Sequence, residues 1–209
     1  MINILIADDH DVVRKGLKQI IEEEFHNSQI QEAINGNELL KKVHTEKFDI
    51  VISDISMPGR SGMESLKQIK EEFPKLPVLI LSMHPDEEYA VRALKAGASG
   101  YLSKASAAEE LILAIRQILS GRRYISANVG EKLAENLDQK HDKELHENLS
   151  NREFDVMKMI ASGKTVSEIA KLFSLSVNTI STYRARIMEK MCFKTNAELT
   201  HYAIKNHLV

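Results

Sequence analysis

Residues 48–64 read FDIVISDISMPGRSGME, and the fold turns on this stretch. Ile50-Val51-Ile52 is a short run of β-branched side chains, the composition of a strand buried on both faces. Asp54 follows where that strand must end. Met57-Pro58-Gly59 is a turn signal, and a helix-like pattern starts at Gly62. Strands buried on both faces belong to parallel sheets covered by helices, and such sheets place their chemistry beyond the strands' carboxyl ends. Asp54 is therefore the group around which the chain is read.

On either side the same alternation repeats. Asn3–Ala7 reads as strand one and ends at Asp8-Asp9; Asp9, His10 or Asp11 can cap the helix carrying Val12, Val13, Leu17, Ile20 and Ile21 at helical spacing. Gln29–Ile34 reads as strand two, with a helix from Asn37 to Glu46. Helix three spans Gly62 to Glu72 and strand four Pro77–Leu81. Helix four spans Pro85 to Ala96 with Gly97 as its C-cap, strand five Gly100–Ser103, and helix five Ser106–Leu119. Five consecutive βα units predict an α/β domain over residues 1–121, its parallel sheet in the flavodoxin-like order 2-1-3-4-5.

Residues 122–147 turn polar and read as a linker. Val129, Leu133 and Leu137 predict one short helix there, and the tract DQKHDKELHEN puts His141 and His146 in the linker. Residues 148–209 hold no strand-like run. They read as a small all-α unit with helices near 151–162, 165–173, 177–191 and 195–207. Thr165 to Ile187 has the form of a helix-turn-helix, with Ser174-Leu175-Ser176 as the turn and Ser176 as N-cap. Tyr183 reads as packing rather than stacking on a base, and Met191 and Cys192 as core.

Charge divides the same way. Residues 1–149 hold 19 Lys+Arg against 25 Asp+Glu, a balance of −6; residues 150–209 hold nine against five, a balance of +4, which returns the net −2. An acidic unit before a basic one points to a second unit drawn to polyanions. No apolar run reaches the roughly eighteen residues of a membrane span, and MINILIADDH lacks the basic start of a signal peptide. One cysteine excludes an intrachain disulfide, which suits a cytoplasmic location.

Asp8, Asp9 and Asp54 converge at the ends of strands one and three, where like charges repel unless a cation compensates. A hard divalent ion held by carboxylates and water fits, and Mg²⁺ fits best. Lys104 after strand five and Ser82 after strand four reach the same edge. That set suits phosphoryl transfer onto Asp54.

The pieces IADDHDVVRKGL, VISDISMPGRSG, VLILSMH and AGASGYLSKA make residues 1–120 resemble a CheY-type receiver domain. The resemblance implies that a sensor histidine kinase phosphorylates Asp54, and that Asp8, Asp9, Asp54 and the Ser56 backbone carbonyl hold Mg²⁺. It implies that Lys104 binds phosphoryl oxygens and that Ser82 and Tyr101 form a switch pair. Ala105 stands where most receivers have proline, which leaves the Lys104–Ala105 bond open between cis and trans.

LSNREFDVMKMIASGKTVSEIAKLFSLSVNTISTYRARIMEKM resembles the LuxR-type helix-turn-helix of the NarL/FixJ response regulators, and its TISTYR run is most similar to the BvgA/EvgA branch. This implies a recognition helix in the major groove of double-stranded DNA. Ser181, Thr182 and Ala185 fall at positions for base contact; Lys164, Thr179, Arg184 and Lys194 fall at positions for phosphate contact. Thr165, Asn178 and Arg186 complete the candidate interface. Leu199, Ala203 and Ile204 on the last helix are candidates for a dimer surface.

The function expected is a phosphorylation-dependent transcription regulator, no enzyme beyond chemistry on itself, that forms a homodimer when phosphorylated. An aspartyl-phosphate phosphatase would need D-x-D at the end of strand one, where Asp8-Asp9 stands, and would leave the helix-turn-helix unused. A receiver that works without phosphate would not need the full set of acidic, hydroxyl and lysine positions.

Overall fold

The inner strands form at runs of β-branched residues and leucine, ILIA, IVIS and VLIL, whereas an edge strand, SQIQEA, keeps polar side chains. In the computed structural model, which describes residues 1–83, 87–125 and 145–209, the first unit alternates strand and helix throughout. Its elements are β1 Ile2–Ala7, α1 Asp11–Glu24, β2 Ser28–Ala33, α2 Gly36–Thr45, β3 Ile50–Asp54, α3 Gly62–Glu72, β4 Val78–Ser82, α4 Glu87–Lys95, β5 Gly100–Ser103 and α5 Ala107–Leu119. The five strands are parallel in the order β2-β1-β3-β4-β5, as the sequence predicts.

Alternation along the strands sends side chains to both faces. Ile4, Ile6, Ile50, Ile52, Leu79 and Leu81 pack with Leu17 and Ile21 of α1 and with Leu111, Ile115 and Ile118 of α5. Leu5, Val51 and Ile80, on the other pleat, are equally buried, as are Leu39 of α2 and Leu66 and Ile69 of α3. Burying one such side chain is worth roughly 1.5–3 kcal/mol, so the sheet holds much of this unit's stability.

Helix starts follow local chemistry. Asn35 caps α2, its side chain accepting from Glu38 N–H. Ser61 and Glu64 form a reciprocal capping box on α3. The N-cap of α1 is His10, with no side-chain cap bond; Asp8 Oδ1 instead accepts the His10 N–H at 2.8 Å. After α5 the chain returns to the sheet edge: Tyr124 bridges Gly100, and its N–H donates to Ser99 O at 2.9 Å. Its hydroxyl meets Glu110, and burial, reinforced by that carboxylate, pushes the phenol up to about 12.

The chain divides into two units, Met1–Gln139 and Lys140–Val209. The expected linker helix around Val129, Leu133 and Leu137 lies outside the described residues, as does His141. In the second unit a 3-10 turn, Leu145–Asn148, precedes α6 Asn151–Ala161, α7 Val166–Leu172, α8 Val177–Met191 and α9 Asn196–Lys205. Capping boxes pair Ser150 with Glu153, Thr165 with Glu168 and Thr195 with Glu198. Phe154, Met157, Ile169, Ile180, Ile187 and Met191 form the core.

Three expectations are corrected here. His146 belongs to this unit rather than to a solvated linker: it is buried, with Nδ1 2.9 Å from the Tyr202 hydroxyl and its ring against Phe154. Leu199 and Ala203 are 0% exposed, because their face of α9 packs on α6, so neither can form a dimer surface; Ile204 is 59% exposed. Cys192 is exposed, as the left-handed C-cap that ends α8.

One pair makes the first unit's stability depend on pH. His44 Nδ1 lies 2.6 Å from Leu40 O, and Nε2 lies 2.5 Å from Glu72 Oε2. Both partners are acceptors, so only the imidazolium satisfies both. The Leu40 carbonyl, then Glu72, raises the His44 pKa. Gln68, then His44, lowers that of Glu72. The His44 contribution is thus full below its unfolded pKa of about 6.5 and lost as pH rises through its raised folded value. That of Glu72 is present above its unfolded pKa and lost as pH falls through its lowered one. Urea midpoints at about pH 5.5 and 8.5 should differ more for wild type than for His44→Gln, with wild type favoured at the lower pH.

Candidate functional site

Parallel pairing with Ala7 opposite Ser53, Asp54 opposite Leu81 and Ser82 opposite Ser103 aligns the carboxyl ends of β1, β3, β4 and β5. Asp8, Asp54, Ser82 and Lys104 therefore reach one edge. Asp54 closes β3 and is 2% exposed, and Asp8 is 0% exposed. Lys104 Nζ lies 2.6 Å from Asp8 Oδ2 and 3.1 Å from Asp54 Oδ2. The Lys104 N–H donates to Ser82 O at 2.7 Å. No described peptide bond is cis, so Lys104–Ala105 is trans.

Electrostatics follow from this crowding. Burial raises the Asp54 pKa; Lys104 opposes it, Asp8 adds to it, and a Ser56 N–H bond to the carboxylate lowers it. Asp9, on the open side, completes the acidic set, and its Oδ1 lies 3.1 Å from His10 Nδ1. Ligand atoms of Asp8, Asp9, His10 and Asp54 all lie within 4.8 Å of one another. Three carboxylates against one ammonium leave about two negative charges, and the donors are mainly oxygen. A hard divalent cation fits that set. Ser82 and Tyr101 are both buried, at the end of β4 and on β5.

Two residues supporting this edge escaped the sequence reading. Arg14 is buried on the inner face of α1 with Leu17 and Ile21. Its Nη1 donates to Asp8 O at 2.8 Å, Nη2 to Asp11 Oδ1 at 2.9 Å and Nε to Glu32 Oε2 at 3.2 Å. A cation three residues before Leu17 and seven before Ile21, in phase with the apolar face, was the available signal. Gly62 is the other: a Cβ there would lie 1.9 Å from Asp54 O. It was read only as a helix start.

In the second unit, Asn178, Ser181, Thr182, Ala185 and Arg186 of α8 are exposed. Thr165 and Thr179 are engaged in the caps of α7 and α8, bonding Glu168 and Ser176. Lys164 and Lys194 are exposed, whereas Arg184 is half-buried with Nε donating to Asn196 Oδ1 at 2.9 Å.

Comparison with known proteins agrees with this two-part organisation. Residues 4–116 match the response regulator receiver domain, and residues 147–203 match the luxR family of bacterial regulatory proteins. Response regulator UvrY of Escherichia coli K12 is 35% identical over 209 residues, covering 100% of this chain and 96% of its own. Oxygen regulatory protein NreC of Staphylococcus haemolyticus is 37% identical over 213 residues, covering 99% and 98%. Among solved structures, the Salmonella typhimurium RcsB response regulator aligns with TM-score 0.62 at 27% identity, over 97% of this chain and 98% of that one. An RcsB–DNA complex aligns with TM-score 0.59 at 27% identity, over 96% of each.

The edge yields two tests. Gly62→Ala should destabilise the first unit by roughly 1–3 kcal/mol, since the clash is with backbone rather than a side chain that can swing away; urea unfolding measures it. Lys104→Met removes the ammonium that opposes the Asp54 shift, so the Asp54 carboxyl should titrate higher than in wild type, as read by carboxyl ¹³C NMR.

Proposed function

Because this chain belongs to the NarL/FixJ family of two-component response regulators, with a receiver and a LuxR-type DNA-binding domain, we propose that phosphorylation of Asp54 controls its dimerisation and its sequence-specific binding to double-stranded DNA. The reading rests on one observation above others: a buried Asp54 at a strand end, with Lys104 Nζ 3.1 Å away and Asp8 beyond it. The receiver is residues 1–121 with Tyr124 returned to its sheet, and the DNA-binding domain, expected from 148, takes in the turn from Leu145 and with it His146. The receiver implies a histidine kinase as partner.

A carboxylate oxygen of Asp54 bonds to the phosphorus of a kinase phosphohistidine as the P–N bond breaks and the imidazole leaves. Lys104 binds the incoming phosphoryl oxygens and Ser82 donates its hydroxyl to them. Asp8, Asp9, Asp54 and the Ser56 carbonyl would hold Mg²⁺, which would supply charge neutralisation. Tyr101 follows Ser82, changing the surface of α4, β5 and α5 on which receivers pair. Accepting phosphate on Asp54 and hydrolysing that aspartyl phosphate are the only chemistry the chain performs. No described helix is long and apolar enough to cross a membrane, and the protein works in the cytoplasm on chromosomal DNA.

On DNA, α8 lies in the major groove, with Lys164, Arg184 and Lys194 at phosphates. Structures of RcsB bound to DNA, one with the phosphomimetic BeF₃⁻, support this use of the fold. Ile204 is the dimer candidate left on α9. Phosphate then raises operator affinity through pairing, by a coupling of about 1–3 kcal/mol.

Acetyl phosphate with Mg²⁺ should add one phosphate to wild type and none to Asp54→Asn, by intact mass. Ionised Asp54 opposes folding, since its folded pKa is raised, so Asp54→Asn should be at least as stable as wild type near neutral pH. Equal phosphate gain in the mutant would refute the assignment. An unchanged oligomeric state and DNA affinity with beryllofluoride would refute the switch.

A further inference from the structure

The outward middle of α8 carries three short side chains, flanked by a single long donor, Arg186. Ala185 lies four residues from Ser181 and three from Thr182, so the three share one face, and all are exposed. Asn178 and Glu189 stand one turn away at either end. Arg186 lies four residues from Thr182, about 40° round the helix from it and roughly 100° from Ala185, so it borders this face on the Thr182 side. Arg184 is turned to α9, its Nε held by Asn196 Oδ1 at 2.9 Å.

The hydroxyl hydrogen of Thr182 is already spent, because Oγ1 donates to Asn178 O at 2.9 Å. What remains for a groove is its methyl group and oxygen lone pairs. Ala185 offers a methyl alone. Guanine and adenine edges are read by long bidentate donors, which Thr182 and Ala185 are not; in the major groove only thymine presents a methyl group for them to meet. Short side chains also bring the helix axis close to the groove floor.

We propose that Thr182 and Ala185 read thymine 5-methyl groups by apolar contact, making thymine the base selected at the centre of each half-site. This rests on α8 entering the major groove, as argued under Proposed function. It gives the small residues of the helix a positive role in specificity, beside whatever Arg186 reads.

The test uses the full-length protein treated with acetyl phosphate to select duplexes from a random-sequence pool. The enriched duplex is then remade with uracil replacing each thymine in turn. At one or two thymines per half-site, uracil should weaken binding roughly three- to fivefold, the effect of losing one buried methyl. Thr182→Ser keeps the hydroxyl bond to Asn178 and loses the methyl, so one of those positions should become indifferent to uracil. Thr182→Val, which has methyls and no hydroxyl, should keep the penalty there. Indifference to uracil at every position would overturn the proposal. So would a penalty that persists in Thr182→Ser and vanishes in Thr182→Val, since the hydroxyl would then be the reader. A pool from which nothing is enriched would overturn the DNA-binding reading itself.

Discussion

One ammonium group spans the charged edge of the receiver. Lys104 lies between two buried carboxylates, at 2.6 Å from Asp8 and 3.1 Å from Asp54. Without a cation there, two nearly solvent-free negative charges would face each other, and one would hold a proton. The topology makes the bridge possible. β4 lies between β3 and β5, so Lys104 crosses the end of β4, and its own N–H is fixed to Ser82 O. A shift of β5 along β4 would break the backbone bond and the ion pair together.

The supporting parts hold backbone rather than reacting atoms. Arg14 grips the carbonyl of Asp8, and Gly62 leaves room for that of Asp54. Asp8 is thus fixed twice, by a guanidinium on its backbone and an ammonium on its side chain. Asp9 is not: it sits on the open side, its carboxylate against the exposed His10 ring. The edge has a rigid wall and a looser rim, an arrangement suited to admitting a hydrated ion and a phosphoryl donor from one side.

Much of this was legible in the sequence for a physical reason. A doubly covered parallel sheet needs unbroken β-branched runs, and its chemistry has one place to go, so IVISD and NILIA fixed the positions of Asp54 and Asp8 without any distance. The helices of the second unit fall close to their expected bounds, and Ser176 caps α8 as its position before the apolar-periodic run implies. The failures came where burial depends on a second surface. Leu199, Ala203 and Ile204 look alike in a list of apolar residues, but only packing on α6 tells which two are core. His146 sits in a polar tract, and nothing local signals the Tyr202 hydroxyl, 56 residues on, that meets it. Arg14 was passed over because an arginine on a helix is ordinarily solvated; here its three partners are backbone and carboxylate groups spread from Asp8 to Glu32.

Tyr124 gives the receiver a mechanical property. The chain leaving α5 is pinned to the end of the sheet at Ser99 and Gly100, and its ring is locked against Glu110. A pull on the downstream segment therefore loads β5 at once, together with α5 through Glu110. β5 is also the strand that carries Tyr101 and leads into Lys104. Strain arriving along the chain is delivered to the strand that leads into the bridging ammonium, and the exit of the receiver acts as an anchored tether instead of a loose end.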